Sequence, residues 1–377
     1  MKDEEIKYIK NVIQSANINF LFGSGLSRPF LKTLGNIEKY ITEISQRLGL
    51  EEDIELLVKG SLFNMYFKDV MYNNICVISD CTSADKTTTL TNYKKFLTIF
   101  NSLLQRRGST ILNKQVNLFT TNIDLFVEKA LEDLGLEYND GFSGRLTPTF
   151  SLSNYNKLLS KKSLHFDNES KIPIFNLLKI HGSLNWKYED TKITYSSNLK
   201  TLEELKIIAD KCSFIEVEMA DTIDTLIGKA EDISLIDGIK VTEIKEFMLL
   251  YNKIPVVNPT KAKFKETVLD LNYYELLRFY SNELEKENSV LFIMGFSMAD
   301  EHIAAMTIRL AKSNPTLTIF IFAFNEDAKI EIQDNLKNIQ QSNIKIYSRS
   351  DVKLTYDFES LNNVIFQTIL DKTNNNE

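Results

Sequence analysis

Residues Asn19–Phe30 read NFLFGSGLSRPF: an apolar run that halts at Gly23-Ser24-Gly25 and resumes as something polar. A short apolar run without polar alternation fits a strand buried on both faces, as in a parallel sheet. Two glycines and two serines at its end fit a tight strand-to-helix turn. Such a turn can bring backbone N–H groups and a helix N-terminus against a phosphate.

The pattern repeats outward from this strand. Upstream, Ile6, Ile9, Ile13 and Ala16 recur at helical spacing within 4–16. Downstream, VNLFT (116–120) runs into TNIDLFVEKALEDLG, where Ile123, Phe126, Val127 and Leu131 share a helical face and Gly135 is a stop signal. FNLLKI ends at His181-Gly182-Ser183. SVLFIMG (289–295) leads through FSMAD to a helix over 301–312, and TLTIFIFAF (316–324) to a helix over 327–340. IKIYS reads as a sixth strand and 358–370 as a last helix. Short apolar strands alternating with helices describe an α/β fold, a Rossmann-like doubly wound parallel sheet of about six strands. Two long helix-rich stretches, 38–114 and 188–253, interrupt the alternation and are expected to form a smaller helical module inserted in a single domain spanning 1–377. The polar end, 371–377, is expected to fray.

Composition narrows the functional classes. Forty-four Lys and Arg against 51 Asp and Glu leave a net charge of −7, a poor basis for solitary nucleic-acid binding, which depends on neutralising phosphates. Cys76, Cys81 and Cys212 form no C-x-x-C pair, so reduced thiols are expected and a zinc site is not; no metal ligand set stands out. The start, MKDEEIKYIKNVIQ, is acidic and amphipathic where a signal peptide is basic and then apolar. With no apolar run of about 18 residues to span a bilayer, the reading is a soluble, cytoplasmic protein without membrane attachment.

In an open parallel sheet, ligands bind beyond the carboxyl ends of the strands, and the unusual residues here sit at those ends. Gly23-Ser24-Gly25-Leu26-Ser27 lacks the third glycine of G-x-G-x-x-G, because Arg28 stands there. In Thr120-Thr121-Asn122-Ile123-Asp124, the polar side chains suit helix capping, and an amide and a carboxylate two residues apart also suit a ribose hydroxyl and a carboxamide. His181 leaves a buried-strand pattern directly before glycine, as a packed core imidazole or one presented to a cleft. In Gly295-Phe296-Ser297-Met298-Ala299-Asp300-Glu301-His302, Gly295 and Ser297 suit close approach to phosphate or ribose, while Asp300 and His302 fit capping or a supporting role.

Taken together and in this order, GSGLS, TTNID, KIHGS and GFSMADEHI resemble the sirtuin-like superfamily, and within it the bacterial antiphage-defence NAD hydrolases. The resemblance implies that Gly23, Ser24, Gly25 and Ser27 cradle the NAD+ pyrophosphate. Asn122 would position ribose and nucleophile, Asp124 would bind the carboxamide, His181 would act as general base, and Gly295 and Ser297 would hold phosphate and adenosine ribose. It implies NAD+ as substrate, and depletion of NAD+ by an NADase in abortive infection. It further implies a homo-oligomer activated through a partner, of the type that stands beside a HerA-type hexameric ATPase. Protein-deacylating sirtuins carry two zinc-binding cysteine pairs and an Asp-Phe-Arg run after the glycine motif. This chain has neither, which weighs against the alternative of a deacylase or ADP-ribosyl transferase. A further alternative is a scaffold subunit that senses NAD+ or ADP-ribose without turnover.

Overall fold

The computed structural model describes all residues except 1, 34–36, 48, 109–110, 190–191, 219, 237, 259–270, 350–354 and 375–377. In chain order the strands are β1 (Asn17–Phe22), β2 (Gln115–Thr120), β3 (Tyr138–Asn139), β4 (Phe142–Ser143), β5 (Thr149–Phe150), β6 (Ser160–Lys162), β7 (Glu169–Lys171), β8 (Ile174–Lys179), β9 (Trp186–Glu189), β10 (Lys192–Tyr195), β11 (Ser289–Met294), β12 (Thr318–Phe322) and β13 (Ile344–Tyr347). Seven of them form one parallel sheet in the order β13-β12-β11-β1-β2-β8-β3. The chain builds outward from β1 through β2 to β8, then returns to the other side of β1 with β11. The strand order therefore reverses between β1 and β11, where doubly wound sheets open a crevice for ligands.

Both faces of the sheet are covered at its centre, which is why β1, β2, β8, β11 and β12 read as largely apolar runs. Phe20, Phe22, Phe292 and Met294 pack on one face beneath the first helix, Asp3–Ser15, and the long helix Ala84–Gln105. Leu21, Leu291 and Ile293 pack on the other, beneath Leu271–Glu285 and Glu301–Ser313.

Register is marked by a polar ladder through the second of these layers. Asn19, Asn117 and Asn176 are partners across β1, β2 and β8. The Asn176 amide donates to Asn117 Oδ1 (2.8 Å), and the Asn117 amide donates to Asn19 Oδ1 (2.8 Å) and to Glu283 Oε2 (3.1 Å). All three asparagines are buried. A slip of one residue turns every side chain to the opposite face, so the ladder ties the three strands to a single alignment.

Several expectations need correction. The sheet has a seventh strand, β3, a two-residue edge beside β8. The stretch expected as a helical insertion over 188–253 opens with the antiparallel pair β9–β10, part of a four-stranded sheet with β4 and β5. Its helices, Lys200–Ala209, Ile223–Ile236 and Val241–Tyr251, follow. Trp186 is buried there against Phe142 and Phe150. Within 38–114 the helices Glu52–Tyr66 and Ala84–Gln105 flank a π-helical turn, Phe67–Tyr72.

The end of the chain does not fray from 371. It is helical through Asn374 and tied to the first helix by Lys372, which pairs with Asp3 at 2.9 Å and whose carbonyl accepts from Lys10; 375–377 lie outside the described residues. Cys76 and Cys81 are joined in a disulfide, against the expectation of reduced thiols, because the turn between Asn74–Ile78 and Ala84–Gln105 brings their Cα atoms to 5.2 Å. Cys212 is the free cysteine. Among the described residues no helix is long and apolar enough to cross a membrane.

Candidate functional site

A cavity of about 490 Å³ opens beyond the carboxyl ends of β1, β2, β8 and β11. Ser24, Gly25 and Ser27 line it from the β1 turn, Asn122 and Asp124 from β2, His181 from β8, and Gly295 and Ser297 from β11. Four segments far apart in sequence thus meet at the crevice where the strand order reverses. The inserted helices add Tyr66 and Val70 to its wall.

The glycines serve first to let two strand ends touch. A Cβ on Gly23 would stand 2.4 Å from the Gly295 carbonyl oxygen and 2.7 Å from Phe296 Cα. One on Gly25 would stand 2.9 Å from Gly295 Cα. Gly295 itself has φ +63°, where only glycine is unstrained. The seam is closed by hydrogen bonds: Gly23 N–H donates to the Met294 carbonyl (3.0 Å) and Gly25 N–H to the Gly295 carbonyl (2.9 Å). This corrects the expectation that these amides are turned to a phosphate, since in this arrangement both are engaged by the neighbouring strand end. Gly23 is not among the lining residues of the cavity; it supports the turn from behind.

Ser27 is buried rather than offered at the surface. Its hydroxyl donates to Asp124 Oδ2 (2.6 Å) and lies 3.1 Å from the Tyr93 hydroxyl. Asp124, one residue ahead of the N-cap Leu125, accepts at Oδ1 from the backbone N–H of Phe126 (3.2 Å), while its second oxygen reaches across to the β1 turn. At 4% exposure Asp124 is almost sealed. Burial, and after it the Asp124 carboxylate, pushes the hydroxyls of Tyr66 and Tyr93 well above the ordinary tyrosine range. The buried Lys179 amino group pairs with Glu128 (3.1 Å) and also donates to the Asp124 carbonyl. Burial raises Glu128 above the usual carboxylate range, with Lys179 opposing.

Asn122 differs from its neighbours in how its amide is used. The NH₂ group donates to the Gly23 carbonyl (3.0 Å) and toward Ser27 Oγ (3.4 Å), which fixes its orientation. The side-chain oxygen, in a residue 7% exposed, is buried with no hydrogen-bond partner. A buried acceptor left unpaired costs stability of about 1–3 kcal/mol, and this one belongs to a residue that lines the cavity.

His181 follows β8, its position set by Gly182. That glycine has φ +78°, and a Cβ there would fall 2.0 Å from the Pro255 carbonyl oxygen. The Val257 N–H donates to the His181 carbonyl (2.9 Å), so the backbone is held on both sides. His181 Nε2 lies 3.3 Å from Asp300 Oδ2, with the two side chains 13% and 7% exposed. Asp300 also caps the helix Glu301–Ser313, as its sequence position suggested. The pairing with His181 was not foreseen, because the sequence offers only the capping signal. Among the described residues no group of three His, Cys, Asp or Glu side chains could hold a metal ion.

Comparison with known proteins bears on this arrangement. Residues 116–215 match the family described as SIR2-like domain, a segment that contains all but the first residue of β2, the Asn122–Asp124 turn, β8 and His181. The glycine turns at Gly23 and Gly295 lie outside the matched segment and join it only in the fold. A solved structure titled "Structural Basis for the Mechanism and Regulation of Sir2 Enzymes" aligns over 99% of this chain and 98% of its own, at 11% identity and a TM-score of 0.39. No curated protein matches. The SIR2-like match supports a sirtuin-like superfamily and an NAD-related activity.

Proposed function

We propose that this chain is an NAD+ hydrolase, cleaving the bond between nicotinamide and ribose to give nicotinamide and ADP-ribose. The observation that carries the reading is Asn122: an oriented amide with an unpaired, buried oxygen, in one cavity with an imidazole and a nearly sealed carboxylate. In the reaction, water adds to the ribose carbon as its bond to the pyridinium nitrogen breaks. The bonding electron pair neutralises the ring, so the leaving group needs no acid. Asn122 would hold a ribose hydroxyl and the water at reacting distance. His181 would take the proton that the water loses, worth roughly 10²–10⁴ in rate. Asp124 would accept from the carboxamide, and Ser24, Ser297 and the turns at Gly25 and Gly295 would meet the phosphates and adenosine ribose, with Ser27 on the cavity wall holding Asp124 and Gly23 supporting from behind.

The resemblance of the four motifs to antiphage-defence NAD hydrolases extends the proposal to depletion of NAD+ in the infected cell. It also extends it to a cytoplasmic homo-oligomer controlled by a partner such as a HerA-type ATPase. Chromatography of NAD+ incubated with the full chain, with and without such an ATPase and with and without an acyl-lysine peptide, tests the activity. Nicotinamide and ADP-ribose formed without peptide support hydrolysis. Nicotinamide formed only with peptide, with transfer of the acyl group, replaces it by deacylation.

A further inference from the structure

Asp300 lines the cavity, and the proposed reaction gives it no part. Its two oxygens do different things. Oδ1 accepts from the backbone N–H groups of His302 (3.1 Å) and Ile303 (3.2 Å), capping the thirteen-residue helix that follows. Oδ2 lies 3.3 Å from His181 Nε2, in a side chain more than nine-tenths buried. An N-cap needs only the first oxygen. A carboxylate can only accept, so a nitrogen facing Oδ2 at this distance is favoured in its N–H form, and in a neutral imidazole the lone pair is then on Nδ1.

We propose that Asp300 is a positioning residue that holds His181 in its Nε2–H form, so that Nδ1 is the nitrogen able to receive a proton. The consequence for turnover rests on the hydrolase reading. The consequence for the ring does not.

One substitution separates this role from capping. Asn is as good an N-cap as Asp. In Asp300→Asn the amide oxygen must stay where the two backbone N–H groups point, so the NH₂ group takes the place of Oδ2. A donor then faces Nε2, which must become an acceptor, and the ring hydrogen moves to Nδ1. The cap survives and the imidazole form inverts.

The chain has three histidines, so the ring nitrogens of His181 can be followed by long-range ¹⁵N–¹H correlation at pH 8, with His165→Gln and His302→Gln giving the assignment. The wild type should show Nε2–H and Asp300→Asn should show Nδ1–H, with the same unfolding midpoint. Turnover of NAD+ should fall roughly 10²–10⁴-fold in kcat, the worth of a general base, with the upper end matching the inverted imidazole of the serine-protease triad, while KM changes less than about threefold. Asp300→Ser, which also caps, leaves Nε2 unopposed and should give a mixture of both forms, a second reading if the first variant folds poorly. An identical ring pattern in the wild type and both variants overturns the proposal, whatever the activity. Inversion of the ring in a protein that never consumes NAD+ sustains it and removes the hydrolase reading instead.

Discussion

Gly23→Ala is a single methyl placed on the seam that builds the cavity. The new Cβ would lie 2.4 Å from the Gly295 carbonyl oxygen and 2.7 Å from Phe296 Cα, both atoms of backbone or fixed by it. Restoring ordinary contact requires the β1 and β11 ends to part by about 1 Å. Overpacking of this kind costs about 1–3 kcal/mol. Two hydrogen bonds cross the same seam, from Gly23 to Met294 and from Gly25 to Gly295; stretching both adds about 1–2 kcal/mol, for about 2–5 kcal/mol in all. Function should suffer beyond stability, because the turn carrying Ser24 and Ser27 moves relative to Gly295 and Ser297, and a misplacement of about 1 Å can cost around 10²-fold in rate. The control is Gly108→Ala, where nothing among the described residues lies within 4 Å of the added atom. Urea unfolding and NAD+ turnover are compared in both. If Gly23→Ala matches the control in midpoint and in rate, the close approach of the two strand ends is not what shapes the site.

Three other outcomes follow from the same structure. Asn117→Leu removes the central rung of the asparagine ladder, leaving Asn19 Oδ1 and the Asn176 amide buried without that partner; it should destabilise by about 2–5 kcal/mol in urea unfolding, and a cost below about 1 kcal/mol would show that the ladder does not hold register. A thiol titration in denaturant without reductant should find one free cysteine, rising to three after reduction; three at the outset would refute the Cys76–Cys81 disulfide. Burial pushes the Cys212 thiol up to about 11, so in the folded protein at pH 8 it should react with a thiol reagent at least tenfold more slowly than after unfolding, and equal rates would contradict its burial.

Five strands, β1, β2, β8, β11 and β12, were legible because each is buried on both faces and reads as a largely apolar run, and β13 because IKIY follows a helix at the right distance. β3 was not, since two residues carry no period. WKYE and KITY of β9 and β10 are mixed in polarity, pair with each other and not with the main sheet, and sit before three helices, so the whole stretch reads as helical. The asparagines of β1, β2 and β8 are each a lone polar residue in an apolar run. They acquire meaning only when register aligns them, which no single segment encodes. At the site, Asn122, Asp124 and His181 stood out through residue type at a strand end. Asp300 stood out as a cap, and its second role depends on a histidine brought to it by the sheet. The glycine turns suggested room for a phosphate in the sequence; the fold adds that Gly23, Gly25 and Gly295 make room for one another, which no single motif encodes.

The most direct trial of the account is nicotinamide release from NAD+ by wild type, Asn122→Ala and His181→Ala, each shown folded and each assayed alone and with the candidate ATPase. The account predicts release by wild type in at least one of these settings and a fall of at least about 10² in both variants. Equal release by all three proteins, or none by wild type in any setting, would contradict it.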